Sequence, residues 1–248
     1  MKSRSDLFAL IGAGPSLNYC DAELADLASR GAHFLVSDSV AAAVLRRFKP
    51  KIATVFTVEL RRHAYLSRID SSAVYDVLAY KASHARNLRF TASRIVSRFK
   101  LLGEAGDEPE LYSPGTVLGT MFSFAVTALP AATGEIHLFG VDFSYIDNQV
   151  YSRYIGPHMP LFHRLASQEK WQLEMAFKKS SAAILRGGHA IRTSYELAES
   201  QKNISGFAAK LPATITVFDY SPIGLDAAAV HKVVPAHYCP AGDNKIAV

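Results

Sequence analysis

The chain has 248 residues, 49% of them hydrophobic and 20% charged, with 15 Gly and 11 Pro. This profile excludes a disordered, collagen-like or coiled-coil protein and suits one large globular domain, or a domain with an appendage. The 27 Lys and Arg against 22 Asp and Glu leave a net charge of +5, which is compatible with phosphorylated substrates, nucleic acid or an anionic surface and selects none of them.

Cys20 and Cys239 have no metal-ligand spacing, so a disulfide-rich secreted scaffold is excluded and a reducing compartment is the simpler reading. Basic residues gather at Arg46, Arg47, Lys49 and Lys51, at Arg61 and Arg62, and between Arg86 and Lys100. They form either a positive stripe or a solvated face.

Along the chain, the apolar run Leu7–Ile11 is too short and too soon interrupted by Gly12 for a signal peptide, so no export and a cytoplasmic protein are expected. It reads as a strand entering a tight turn. Helical spacing follows over Asp21–Ser29, a second strand over His33–Ser37, a helix over Val40–Phe48 and a third strand from Ile52 to Val58. This alternation predicts a parallel sheet with right-handed crossovers.

A further strand is expected from Val74 to Tyr80. The stretch from Leu111 to Gly134 lacks charge and is long enough to cross ~30 Å of hydrocarbon. Its Pro114, Gly115, Gly119 and Pro130, with its hydroxyl residues, instead favour a buried helix from Thr116 to about Leu129. A strand from Glu135 to Phe143 comes next, at the centre of the sheet. From Ser144 the chain turns aromatic, polar and proline-containing, as lids and binding loops do. Helices over Gln168–Leu185 and Ser194–Lys210 and a last strand over Thr214–Phe218 complete the reading. One α/β domain, residues 1–225, with a lid-like loop at 144–166, is expected to precede a tail at 226–248.

Several positions can carry chemistry. Gly12, Gly14, Pro15 and Ser16 form a turn whose glycines permit close approach and whose following helix would offer free N–H groups to an anion. It lacks the dinucleotide and Walker patterns, and glycine also serves such turns for structural reasons. Ser37, Asp38 and Ser39 end the second strand, and Glu59 follows the third. Strand ends of this kind border the ligand crevice of an open parallel sheet, where hydroxyls and acids suit a ribose or a divalent cation; Asp38 or Ser39 could equally cap the next helix. Ser113, Gly115 and Thr116 open a helix. Asp142 would be costly to bury unpaired, and could ligate a cation, orient a hydroxyl or act as a general base. Arg153, Tyr154 and His158 lie in the long loop, where Arg and Tyr suit a phosphate or a ring and His158 an acid/base role. No Ser-His-Asp order, HExxH or CxxC is present, so hydrolase and zinc readings lack support.

The segments Gly12–Leu17, Val36–Ser39 with Lys49-Pro50 and Thr57–Glu59, Ser113–Val117 and Leu138–Phe143, with Gly188–Ser194 and Val217–Ser221 later, occur in one order. In this the chain resembles, from about residue 7 to residue 225, the MptE-like 6-hydroxymethylpterin diphosphokinase family, which includes the central domain of bacterial flagellin-glycosylation accessory proteins. A weaker similarity, to bacterial sialyltransferases that use a CMP-activated sugar, rests on the Gly14–Leu17 turn, the Ser113 helix, Gly140–Phe143 and Tyr154–Gly156. Arg153 stands where their catalytic His precedes the Tyr-Ile-Gly, which leaves His158 as the substitute.

Both resemblances imply a Rossmann-like, mostly parallel sheet flanked by helices, with a nucleotide site. The leading expectation is a transferase that takes a nucleotide or nucleotide sugar at the Gly12–Ser16 turn and the Ser113–Thr116 helix start, with Asp142, Arg153 and His158 at the reacting end. The first alternative is an ATP-dependent diphosphokinase with Mg²⁺ at Asp38, Glu59 and Asp142. The second is a catalytically degenerate binding module in surface-glycan or flagellar assembly. The partner is a small-molecule nucleotide donor and, in a homo-oligomer, a second copy; no sequence-specific nucleic acid and no transmembrane segment are expected.

Overall fold

Strands that are covered by helices on both faces read as continuous apolar runs, because neither face meets water. The computed structural model describes residues 6–57, 76–79, 94–95, 116–129, 133–146, 151–155, 184–186, 189–221 and 224–235. In chain order its elements are β1 (Leu7–Ile11), a 3-10 turn (Pro15–Tyr19), α1 (Asp21–Ser29), β2 (His33–Ser37), α2 (Asp38–Phe48), β3 (Ile52–Thr57), β4 (Asp76–Ala79) and β5 (Arg94–Ile95). Then come α3 (Val117–Ala128), β6 (Gly134–Phe139), β7 (Tyr145–Ile146), β8 (Ile184–Arg186), β9 (His189–Arg192), α4 (Tyr195–Ala208), β10 (Ile215–Asp219) and β11 (Val230–Lys232).

Eight strands form one sheet in the order β11-β10-β6-β1-β2-β3-β4-β5, and each of its ladders is parallel. The α/β Rossmann-like expectation therefore holds. Strands β1 to β5 step outward in one direction, whereas β6 pairs with the other side of β1 and β10 follows it. The order thus reverses between β1 and β6, and in open α/β sheets the crevice for ligands lies beyond the carboxyl ends of strands at such a reversal.

Because side chains alternate along each strand, the sheet feeds two cores. On one side Ala9, Ile11, Phe34, Val36 and Val55 pack with Leu24 and Leu27 of α1 and Val40, Val44 and Leu45 of α2. On the other, Phe8, Leu10, Leu35, Ile136, Leu138 and Val217 pack with Leu118, Met121, Phe122 and Ala125 of α3 and Ile204 and Ala208 of α4. Among the described residues, two helix starts carry side-chain caps. Thr116 Oγ1 accepts the Gly119 amide to cap α3, and Ser194 Oγ accepts that of Leu197 to cap α4. Arg46 and Arg47 sit in the last turn of α2, against its negative dipole end.

Two expectations change, and the buried helix expected within the uncharged stretch is present. The helix predicted through Leu185 gives way at its end to β8, paired antiparallel with β9, which in turn pairs with β7; Gly187 and Gly188 between β8 and β9 are a hairpin signal that outweighs the helical spacing. Residues 168–183 lie outside the described residues. The expected tail contributes β11, whose residues pair with Val217–Asp219 at the edge of the sheet. The uncharged stretch forms α3, which at 12 residues is about 18 Å long. Among the described residues no helix is long and apolar enough to cross a membrane.

Phe122 is almost fully buried and meets Phe207 edge to face at 5.5 Å, joining α3 to α4 over the sheet. Phe122→Ala should therefore lower stability by about 3–5 kcal/mol; urea denaturation followed by circular dichroism measures it, and a loss under about 1 kcal/mol would refute this packing.

Candidate functional site

The turns that leave β1 and β6 meet at the reversal of strand order. The Gly12 amide donates to Phe139 O at 2.8 Å and the Gly14 amide to Gly140 O at 2.9 Å. A Cβ on Gly14 would lie 2.7 Å from Gly140 O and closer still to the Asp142 carboxylate, so only glycine fits there. Gly140 has φ 61°, and Phe143, three residues on, has φ 48°. A left-handed conformation at a bulky residue costs on the order of 1–3 kcal/mol and persists only where its surroundings hold it. Thr193 Oγ1 donates to Phe143 O at 2.8 Å, and Ser144 Oγ to Asp142 O at 2.9 Å. This sharp path turns the Asp142 side chain inward.

Asp142 is 2% exposed. Its Oδ2 accepts the Ser16 amide at 2.8 Å, while the buried Oδ1 has no hydrogen-bond partner among the described residues. Burial pushes its pKa up to about 7, the Ser16 amide pulls the other way, and the charge of Asp219 adds to the rise. Asp219, fully buried at the end of β10, is held differently: it accepts the amides of Ser221 and Leu225 at 2.9 and 2.7 Å and pairs with Lys232 Nζ at 2.8 Å. Ser221 Oγ then accepts the Val141 amide at 3.0 Å and the Ser16 hydroxyl at 3.4 Å. Three strand ends, β1, β6 and β10, are thereby tied around Asp142.

The predicted residues fall as follows. Gly12, Gly14, Pro15, Ser16 and Asp142 come together. The expected free amides of the turn are taken by the protein itself, since Phe139 O, Gly140 O and the Asp142 carboxylate accept those of Gly12, Gly14 and Ser16. Ser37, Asp38 and Ser39 lie at the β2–α2 junction, where Ser37 Oγ meets Ser39 Oγ at 3.1 Å and Asp38 Oδ1 at 3.5 Å. Neither Asp38 nor Ser39 is the cap: Ser37 occupies the N-cap, with no side-chain cap bond. Thr116 caps its own helix. His158, Glu59, Ser113 and Gly115 lie outside the described residues.

Arg153 and Tyr154 go elsewhere. The Arg153 guanidinium pairs with Asp21 of α1 at 3.0 Å, and the buried Tyr154 donates its hydroxyl to the same carboxylate. Burial first, and the Asp21 bond second, push the Tyr154 pKa up. For Mg²⁺, the free oxygen of Asp142 is a suitable hard donor, but among the described residues no group of three His, Cys, Asp or Glu gathers to hold a metal.

Asp219 and Ser221 also belong to the site; the sequence marks them only as part of the segment Val217–Ser221 and gives them no role. A second cluster also escapes sequence reading. His137, stacked on Phe218 at 4.7 Å, bonds Tyr220 Oη at 3.1 Å and Glu135 Oε2 at 3.2 Å, and Glu135 pairs with Arg30. Burial lowers the His137 pKa. Tyr220 and Arg30, with Ala22, Glu23, Asp26 and Leu27, line a cleft of about 260 Å³ that includes no predicted site residue.

No protein-family model and no curated protein sequence matches the chain. Among solved structures it is similar to the MAf glycosyltransferase from Magnetospirillum magneticum AMB-1, with 14% sequence identity and a TM-score of 0.56 over 95% of this chain. The chain spans 34% of that protein's length. At this identity the likeness is one of fold.

The Asp142 carboxyl, ordinarily titrating near 3.8, does so here at about 7. Between those values the folded protein holds a proton that the unfolded chain has lost, so this group favours folding below about pH 4 and loses that contribution as pH rises to about 7. The stability of the wild type relative to Asp142→Asn should accordingly fall by up to about 4 kcal/mol from about pH 4 to about pH 7.5. Urea denaturation at both pH values checks this, and a constant difference would overturn it.

Proposed function

We propose that this chain is a glycosylation-related transferase domain that binds a nucleotide-activated sugar beyond the carboxyl ends of β1 and β6, with Asp142 at the reacting end. The observation that carries this reading is the state of Asp142: buried at the strand-order reversal, held through one oxygen by a neutral amide, its other oxygen without a hydrogen-bond partner among the described residues. A carboxyl poised near neutral pH can take a proton from an acceptor hydroxyl and return it, which is where general-base catalysis is most effective. In the proposed step the acceptor oxygen forms a bond to the anomeric carbon while the bond from that carbon to the phosphate oxygen breaks. The nucleotide leaves with the electron pair, and the hydroxyl proton passes to Asp142. The likeness in fold to a protein described as a MAf glycosyltransferase supports the transferase class, and fold alone does not supply the chemistry.

A second reading has its own support. The turn amides that would grip a phosphate are satisfied internally, as in a module that keeps the architecture and binds without turnover. The diphosphokinase reading requires Glu59 to join Asp38 and Asp142 around Mg²⁺, and it predicts that nucleotide binding needs the metal.

Isothermal titration against CMP-, UDP- and GDP-sugars, with ATP and Mg²⁺ alongside, separates the three. Saturable, metal-independent binding of one nucleotide sugar, with transfer reduced about 100-fold or more in Asp142→Asn and binding retained, is expected for a lost general base. Binding with no turnover, indifferent to Asp142→Asn, favours the module, and the absence of binding to any nucleotide removes the transferase reading.

A further inference from the structure

Outside the β1–β6 crevice, one carboxylate gathers more positive charge than it can neutralise. Asp21, the first residue of α1, receives Nη2 of Arg153 at 3.0 Å and Nη2 of Arg47 on the same oxygen, while Tyr154 donates to the other. Two guanidinium groups therefore converge on a single oxygen. Both remain open to water, with Arg153 58% and Arg47 55% exposed, against 25% for Asp21.

The arrangement is held from behind. The Arg153 guanidinium lies over the Tyr154 ring at 5.5 Å and that of Arg47 over Phe48 at 5.7 Å, contacts that fix the cation on an aromatic face. The Arg153 amide donates to Asn18 Oδ1 at 2.7 Å and the Ser152 amide to Ala13 O at 2.9 Å, fastening the segment that carries Arg153 onto the turn after β1. Arg46, Lys49 and Lys51 add exposed positive charge at the end of α2 and the start of β3. The start of α1 contributes its positive dipole end.

We propose that Arg47 and Arg153 form a two-arginine site for a phosphate-class oxyanion, with Asp21 as the internal anion that keeps the pair assembled. Guanidinium pairs suit phosphate oxygens by geometry as well as charge. Exposed ion pairs are weak, so a phosphate dianion can engage the outward N–H groups, or compete with Asp21 for them. The site does not rest on the transferase reading, because the ligand needs neither a sugar nor Asp142.

The test titrates the whole chain with inorganic phosphate at low ionic strength, followed by calorimetry, with sulfate and a phosphate monoester as further arms and circular dichroism to confirm the fold of each variant. Saturable binding at one site is expected, weakened about tenfold in Arg47→Gln and in Arg153→Gln through the lost charge-assisted bonds. Arg153→Lys, which keeps the charge without the fork, should lie between. Asp21→Asn keeps a hydrogen-bond acceptor and removes the competing charge, so it should bind phosphate more tightly, by about threefold or more for a surface pair. Binding of the monoester as well as free phosphate would extend the site to phosphorylated ligands, and binding of free phosphate alone would limit it to the ion. Non-saturating uptake, meaning an adventitious ion only, would overturn the proposal. So would affinity unchanged by either arginine substitution, or weaker binding in a folded Asp21→Asn.

Discussion

Two backbone turns touch where β1 and β6 leave the sheet, and the closeness of that contact governs what surrounds it. The amides of Gly12 and Gly14 reach the carbonyls of Phe139 and Gly140, so neither chain has room for a side chain at Gly14 or a right-handed path at Gly140. With the turns locked together, the next residues on each side are forced to meet, and Asp142 comes to rest on the Ser16 amide. The glycines of the first turn thus serve close packing. The anion that the short 3-10 turn attracts is supplied from within the chain.

Two aspartates at neighbouring strand ends show how differently burial can be compensated. Asp219 accepts two amides and an ammonium group, so its charge is balanced and its oxygens are occupied. Asp142 has one amide and, among the described residues, an oxygen with no hydrogen-bond partner. Leaving a buried polar atom unpaired costs roughly 1–3 kcal/mol, and the left-handed Phe143 adds strain to the same loop. Thr193, Ser144 and Ser221 hold this loop in place. A strained, under-compensated carboxyl at a strand-order reversal supports the reacting role proposed for Asp142, and full pairing supports a structural one for Asp219. Asp219 and Ser221 accordingly act as the frame against which Asp142 is set.

The segment after β7 shows the same economy of contacts on the other side of the turn. Ser152 bonds Ala13 and Arg153 bonds Asn18, which draws residues 151–155 across the start of α1. Arg153 and Tyr154 then find Asp21. Residues 151–155 of the loop that the sequence presents as lid-like form a strap between the first turn and the first helix. Its positive charge faces solvent beside Arg47.

How much of this is written in the chain itself depends on the range of the forces involved. The apolar runs of β1, β2, β3 and β10 and the helical spacing of α1, α2 and α4 are local properties, and they appear in the structure within two residues of where the pattern puts them, whereas β6 ends at Phe139, short of the expected Phe143. The short strands β5 and β7 are set by pairing partners more distant in the chain, whereas β8 pairs with β9, which follows two residues later, and Ile184–Arg186 has a helical look until that partner is known. The site divides in the same way. Gly14, Ser16 and Asp142 are recognisable as candidates from glycine spacing and from an acid at a strand end. Tertiary structure alone decided that Asp142 fills the turn, that Asp219 rather than Asp142 receives the cation, and that Arg153 serves Asp21. Backbone conformation and hydrophobic period act over a few residues, whereas which buried charge is compensated depends on groups that only the folded sheet brings within reach.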